Sequence, residues 1–286
     1  MRELGGRTAI VTGASRGLGR YIARALAAER MNLVLAARSR DGLQAAQAEA
    51  QAAGVKAVAV PADLVRRADL EALVAAATGE FGAIDVLVNN AGTISLFPYE
   101  RLSPDDIEHE MQVNLVAPML LTRLVVPLML ERRQGHIVNI SSMAGKTGPP
   151  FDAPYAASKA GLIGFTESLR SEYSGRGVSA SVICPGYVDD AGMYQDMKDN
   201  AGAKVPRLVG SVGPEPVARA VVRAITHDVP EIIVNKFPTR PLTTLLEAAP
   251  ALGERLLRRV DAFKPFREGM EANVRKADAA TARTPH

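Results

Sequence analysis

Three side chains near the middle of the chain have types and spacing suited to proton transfer: Ser142, Tyr155 and Lys159. Ile137-Val138-Asn139-Ile140 is a short apolar run, read as a buried strand with Ser141 and Ser142 at its carboxyl end. A loop carrying Gly145, Gly148, Pro149 and Pro150 follows, and Tyr155 opens a helical run. Residues four apart share a helix face, which sets the Lys159 ammonium near the Tyr155 phenol. A free tyrosine, with a pKa of about 10, is a poor acid or base at neutral pH. A cation at roughly 5 Å, with an effective dielectric near ~20, favours the phenolate by about 3 kcal/mol, or roughly two pKa units. A phenol tuned in that way protonates an alkoxide or deprotonates an alcohol. Ser142 stands 13 positions before Tyr155, and its hydroxyl can bond the same substrate oxygen.

A tyrosine four residues before a lysine is also an ordinary surface-helix pair. The serine pair, the strand end and the small residues Ala156, Ala157, Ala160 and Gly161 favour chemistry. A second motif decides for it. Thr8-Ala9-Ile10-Val11 reads as a strand, Thr12 to Gly19 as a glycine-rich turn, and Tyr21, Ile22, Ala25 and Leu26 as a helix face. A strand, a glycine turn and a helix place backbone N–H groups and a positive helix end against a pyrophosphate. The spacing is G-x-x-x-G-x-G, distinct from the common G-x-G-x-x-G.

The elements that must position these groups alternate along the chain. Strands are expected at 33–36, 55–60, 85–88, 178–183 and 231–234, and helices at 40–53, 66–81, 103–133 and 214–227. Ser103-Pro104-Asp105-Asp106 is a helix start: a serine cap, a proline in the first turn and acids at the positive end. Such alternation predicts an α/β fold, a doubly wound parallel sheet of Rossmann type.

Composition excludes several classes. The chain has 286 residues, 47% hydrophobic and 23% charged, enough for a full core. A net charge of +3 without a basic stripe gives no reason to expect nucleic-acid binding. The single cysteine, Cys184, forbids an internal disulfide, and with a polar Met1–Gly6 segment it suggests a reducing, cytoplasmic setting. The four histidines show no metal-ligand spacing and are taken as surface or core residues, so no metal is expected.

Together these residues resemble the short-chain dehydrogenase/reductase family in its form of roughly 250 residues, over about residues 6–235. The resemblance rests on Thr12-Gly13-x-x-x-Gly17-x-Gly19, Asn89-Asn90-Ala91-Gly92, Asn114, Ser142, Tyr155-x-x-x-Lys159 and Pro185-Gly186. It implies strand order 3-2-1-4-5-6-7. It implies Tyr155 as general acid/base, Lys159 as its electrostatic partner and ribose contact, and Ser142 as the group orienting the carbonyl or hydroxyl. Asn114 would hold a water linking Lys159 to solvent. Gly13, Gly17 and Gly19 would cradle the pyrophosphate, and Ser15, Arg16 and Leu18 of the same turn would also bind the cofactor. Arg38, Asp63, Leu64, Asn90, Ala91, Gly92, Pro185, Gly186 and Val188 complete the cofactor site. Asp63 would contact the adenine, its simpler reading being a turn aspartate. The family's threonine near position 190 is missing here, where Asp189-Asp190-Ala191 stands. Asp190 either replaces that contact or points elsewhere.

The cofactor expected is NADP(H). An acid after the second strand usually selects NAD, but this chain has Ala37 there, then Arg38, with Arg16 in the glycine turn and no acid expected nearby. The expected activity is NADP-dependent oxidoreduction of a moderately hydrophobic carbonyl or secondary alcohol, beneath a lid at Asp189–Val212. A non-catalytic NADP-binding sensor and a sugar-nucleotide epimerase or dehydratase are the rivals. Family analogy implies a homodimer or homotetramer. Residues 1–235 are expected as the catalytic domain and 236–286 as a helical extension with its last ten residues disordered. That extension has ten basic and six acidic residues, with leucines at helical spacing interrupted at Pro250. It is expected to pack over the cleft or a neighbouring subunit, the alternative being weak contact with a membrane surface.

Overall fold

Seven short apolar segments pair side by side as parallel strands. The computed structural model describes residues 1–281. The strands are β1 (Thr8–Thr12), β2 (Asn32–Ala37), β3 (Ala57–Pro61), β4 (Val86–Asn89), β5 (Gly135–Ile140), β6 (Val178–Pro185) and β7 (Glu231–Val234). Their order is β3-β2-β1-β4-β5-β6-β7, as expected. Helices cover both faces, which is why the strands read as near-continuous apolar runs. Alternate residues serve opposite cores. Ala9, Val11, Leu33 and Leu35 pack on α1 (Gly17–Ala28), α2 (Arg40–Ala52) and α9 (Pro214–His227). Ile10, Val34, Leu87 and Ile137 pack on α3 (Arg67–Phe81), α5 (Ala117–Glu131) and α7 (Ala153–Glu172).

The order in which strands are added reverses between β1 and β4, and the carboxyl ends of these parallel strands open a crevice there, the usual ligand position in such sheets. Polar side chains tie those ends together. Asn89 Nδ2 donates to Asn139 Oδ1 at 2.8 Å, and Asn139 Nδ2 donates to Thr166 Oγ1 at 2.9 Å. The Thr12 hydroxyl accepts the backbone N–H groups of Asn90 and Ala91 at 3.0 and 3.1 Å.

The helix expected over 103–133 is broken by an extra residue. α4 (Pro104–Met111) starts with the anticipated Ser103 cap, closed into a capping box by Asp106. A π-helical turn over Gln112–Val116 then leads into α5. The turn rotates Asn114 inward, where its Oδ1 accepts from Thr93 N and its Nδ2 donates to Thr93 O, both at 2.8 Å. By length and composition Pro104–Glu131 would reach across a bilayer, but Leu121, Val125 and Met129 are used against the sheet.

α6 (Ala144–Thr147), a single turn, and α8 (Met193–Ala201), inside the expected lid loop, were not anticipated, while α12 (Lys264–Thr281) belongs to the expected helical extension and ends the described chain. α10 (Arg240–Ala248) and α11 (Pro250–Arg259) meet at Ala249, so Pro250 does break the run. The disorder expected for the last ten residues does not begin at 277. α12 continues to Thr281, held by Arg101–Asp278 at 2.6 Å and Lys276–Asn200 at 2.9 Å. Residues 282–286 lie outside the described residues.

Candidate active site

The strand end and the helix carrying the reacting groups are locked to one another. Ser141 Oγ donates to Lys159 O at 2.7 Å, and Lys159 Nζ donates to Ile140 O at 3.0 Å. Gly145 of α6 lies so close to α7 that an added Cβ would stand 2.6 Å from the Lys159 carbonyl carbon. β5 and α7 therefore cannot slide independently, and Ser142, Tyr155 and Lys159 converge. The ammonium sits 5.5 Å from the centre of the Tyr155 ring. One of its three N–H groups is used on Ile140, leaving two toward the cavity that Lys159 lines. Asn114 stands close by, since an added Gly92 Cβ would lie 3.2 Å from its Oδ1 and 3.5 Å from Lys159 Nζ.

The phenol does not titrate as the charge argument anticipates. Burial raises Tyr155 above the ordinary phenol range, opposed by a hydrogen bond with Ser142. Burial also lowers Lys159, to about 8. The distance to the cation was readable from helix spacing, but desolvation of the phenolate was not, and it wins here. Tyr155 is thus held as a neutral phenol beside a lysine that is still largely protonated at neutral pH. That is the form able to donate a proton to a carbonyl oxygen.

Two acids not singled out by sequence lie behind the tyrosine. Glu110, at the end of α4, and Asp152, just before α7, are both fully buried. Burial raises both carboxyls, Glu110 against its hydrogen bonds to Ser95 and Asp152, and the neighbouring Glu110 raises Asp152 further, to about 9. Two carboxylates this close cannot both ionise, so the pair retains a proton at neutral pH. The folded chain then holds a proton that the unfolded chain, with Asp152 near 3.8, has already lost. The stability contributed by that proton is fully present below 3.8 and is lost as pH rises toward about 9. Asp152→Asn should therefore flatten the fall of melting temperature between about pH 5 and about pH 9. Equal slopes in variant and parent would show that the pair carries no such proton.

A cavity of about 700 Å³ runs from these groups across the carboxyl ends of β1, β2 and β3. It is lined by Gly13, Ser15, Arg16, Gly17, Leu18, Gly19, Arg38, Asp63, Leu64, Asn90, Ala91 and Gly92, and then by Ser142, Tyr155, Lys159, Pro185, Gly186 and Val188. Gly13 has φ +68°, and a Cβ there would stand 2.9 Å from Ala91 Cα. A Cβ on Gly19 would stand 2.1 Å from Gly13 O. The turn between β1 and α1 therefore closes only with glycine at both places, and it leaves the amino end of α1 facing the cavity. Asp63 lines the cavity while its carboxylate accepts from Val65 N at 3.3 Å, so the turn reading and the lining reading both apply.

Three expectations need correction or completion. Asp190 is solvent-exposed with φ +58°, its N–H donating to Gln195 Oε1 at 3.1 Å, and it does not line the cavity; it points elsewhere. An acid does lie near the arginines: Asp196 of α8 pairs with Arg16 at 3.4 Å. Both side chains are largely exposed, so the pair is worth at most about 1 kcal/mol. His109, taken as a surface or core residue, lines the cavity. Among residues read as structural, Cys184 is buried and its thiol is pushed up to about 12, consistent with an inert sulfur.

The chain belongs to the short chain dehydrogenase family, whose model matches residues 7–202. Two similar proteins are named as reductases. The ketoacyl reductase HetN of Nostoc sp. is 47% identical over 249 residues, covering 87% of this chain and 85% of that protein. A 3-oxoacyl-[acyl-carrier-protein] reductase of Synechocystis sp. is 38% identical, covering 71% of this chain and 81% of that protein. Among solved structures, a metagenomic short-chain oxidoreductase in complex with NADP superposes with a TM-score of 0.71 at 34% identity, covering 82% of this chain and all of that one.

Proposed function

We propose that this protein reduces a ketone to a secondary alcohol with NADPH, and that Tyr155 donates the proton. The observation that carries the reading is the position of Tyr155, buried with Ser142 and Lys159 beside it at the junction of two cavities. The glycine turn fits a dinucleotide pyrophosphate because no Cβ fills it. Arg16 and Arg38, both exposed on the cavity wall, suit a 2′-phosphate. When bound, the nicotinamide supplies a hydride. The remaining work belongs to the side chains. Ser142 orients the carbonyl oxygen, and Tyr155 protonates it as negative charge develops there. The Lys159 ammonium stabilises the phenolate that remains. Lys159 then passes a proton to the Tyr155 phenolate, and Asn114, fixed to Thr93, would hold the water through which Lys159 is reprotonated. Ketone-dependent oxidation of NADPH tests the proposal. Cofactor binding without turnover on any ketone would instead favour a sensor.

A dimer or tetramer built on α5 and α7 is part of the same proposal. Ala157, Ala160 and Gly164 leave an exposed strip of small side chains on α7, and Met119 of α5 is exposed. Gly161 does not belong to that strip, because it packs on Leu115 within the same chain. Light scattering should give at least twice the single-chain mass of 30.4 kDa; a single-chain mass would dismiss this assembly.

A further inference from the structure

The second cavity, of about 310 Å³, shares Ser142 and Tyr155 with the first but has a different character. Among the described residues, no lysine, arginine, aspartate or glutamate lines it. Several polar groups of its wall already have partners. Tyr187 Oη donates to Ala262 O at 2.8 Å, Thr147 Oγ1 donates to Met143 O at 3.0 Å, and Asn235 Nδ2 donates to Thr239 Oγ1 at 3.3 Å. Much of the apolar wall comes from the chain beyond residue 236: Leu242 of α10, Leu257 of α11, and Val260, Phe263 and Phe266 around the start of α12. These positions lie outside the segment that matches the family model, residues 7–202.

The extension is fastened rather than loosely apposed. Lys204 N donates to Glu268 Oε2 at 3.1 Å, and Asn273 Nδ2 donates to Leu96 O at 3.2 Å. Phe266 packs with Leu96 and Met197, joining α12 to both the lid and the loop after β4. The extension thus packs over the cleft of its own chain.

We infer that this cavity takes the hydrocarbon part of an uncharged, chain-bearing ketone, and that Leu242, Leu257, Phe263 and Phe266 set the preference for its length. The inference rests on the carbonyl-reductase reading above. A charged group in this cavity would lose its hydration without gaining a partner. Each methylene buried there raises kcat/KM roughly fourfold, from about 0.8 kcal/mol of transfer energy. At roughly 30 Å³ per water-sized group, the space admits roughly ten non-hydrogen atoms. Leu208, Phe237 and Leu256 line the cavity and are exposed to solvent, so it is open there. Longer chains protrude, and the gain levels off instead of reversing.

The test is kcat/KM of the full-length enzyme with NADPH for unbranched methyl ketones from butan-2-one to dodecan-2-one. The expected result is a rise of at least about a hundredfold followed by a plateau. Leu257→Trp, which fills the cavity, should lower the decan-2-one to butan-2-one ratio at least about tenfold. Binding is read separately. The chain contains no tryptophan, so Phe263→Trp adds a unique fluorophore in the wall. With NADP+ present, its emission should shift saturably with decan-2-one and not with decanoate. A flat or falling series, with butan-2-one still reduced, overturns the inference and leaves the reductase reading intact. An equal response to decanoate overturns the uncharged class. No reduction of any ketone together with no emission change overturns both readings.

Discussion

Tyr155→Phe lowers kcat for ketone reduction at least about a hundredfold, the lower edge for losing a general acid, while NADPH binding is retained. The substitution removes one oxygen and keeps the ring. Its effect on the fold is small because the ring that fills the buried site is kept. Removing a phenol whose ionisation is opposed by burial leaves the hydrophobic packing of α7 unchanged. The loss therefore appears in the chemical step: ground-state binding survives and the transition state loses its proton donor. An unchanged melting temperature separates this from misfolding. If Tyr155→Phe retained a tenth or more of wild-type turnover, roughly a 1.4 kcal/mol effect or less, the proton would have another source.

The unmodified enzyme prefers NADPH, and Ala37→Asp combined with Arg38→Ala reverses the preference. Ala37 ends β2, and the exposed Arg38 follows it on the cavity wall. Each charge-assisted hydrogen bond to a 2′-phosphate contributes roughly 1.5–3 kcal/mol, or about ten- to a hundredfold in affinity. Arg16 is also available. Its present partner Asp196 is an exposed carboxylate at 3.4 Å, a pairing weaker than a phosphate contact. The double substitution removes one phosphate ligand, introduces a charge that repels phosphate and supplies an acceptor for ribose hydroxyls. The ratio of kcat/KM for NADPH and NADH should swing by at least about a thousandfold, since both cofactors move in opposite directions. A parent enzyme that favours NADH would refute the roles given to Arg16 and Arg38.

What was legible in the sequence was local. Strand patterns, the glycine turn and the four-residue offset of Tyr155 and Lys159 are properties of short segments, and the fold keeps each of them. The π-helical turn at Asn114 was not legible, because one inserted residue barely disturbs an apolar helix pattern. Glu110 and Asp152 read as ordinary polar residues; only the packing of α4 on α7 buries them together. The Arg16–Asp196 pair joins residues 180 positions apart, beyond any spacing argument. The upward shift of Tyr155 belongs to the same class, since burial is a tertiary quantity. The helical spacing of the extension was visible, but its use as a cavity wall depends on where α12 is fastened, at Leu96, Lys204 and Glu268.

The central claim is that this site reduces a carbonyl with hydrogen from the nicotinamide and a proton from Tyr155. The most direct measurement uses NADPH carrying deuterium at both C4 positions, a methyl ketone and catalytic amounts of enzyme, with the alcohol analysed by mass spectrometry and NMR. The predicted result is a secondary alcohol of one handedness with a single deuterium on the carbinol carbon, formed by the wild type and barely by Tyr155→Phe. Alcohol without deuterium, or NADPH that binds and is never consumed, would contradict it.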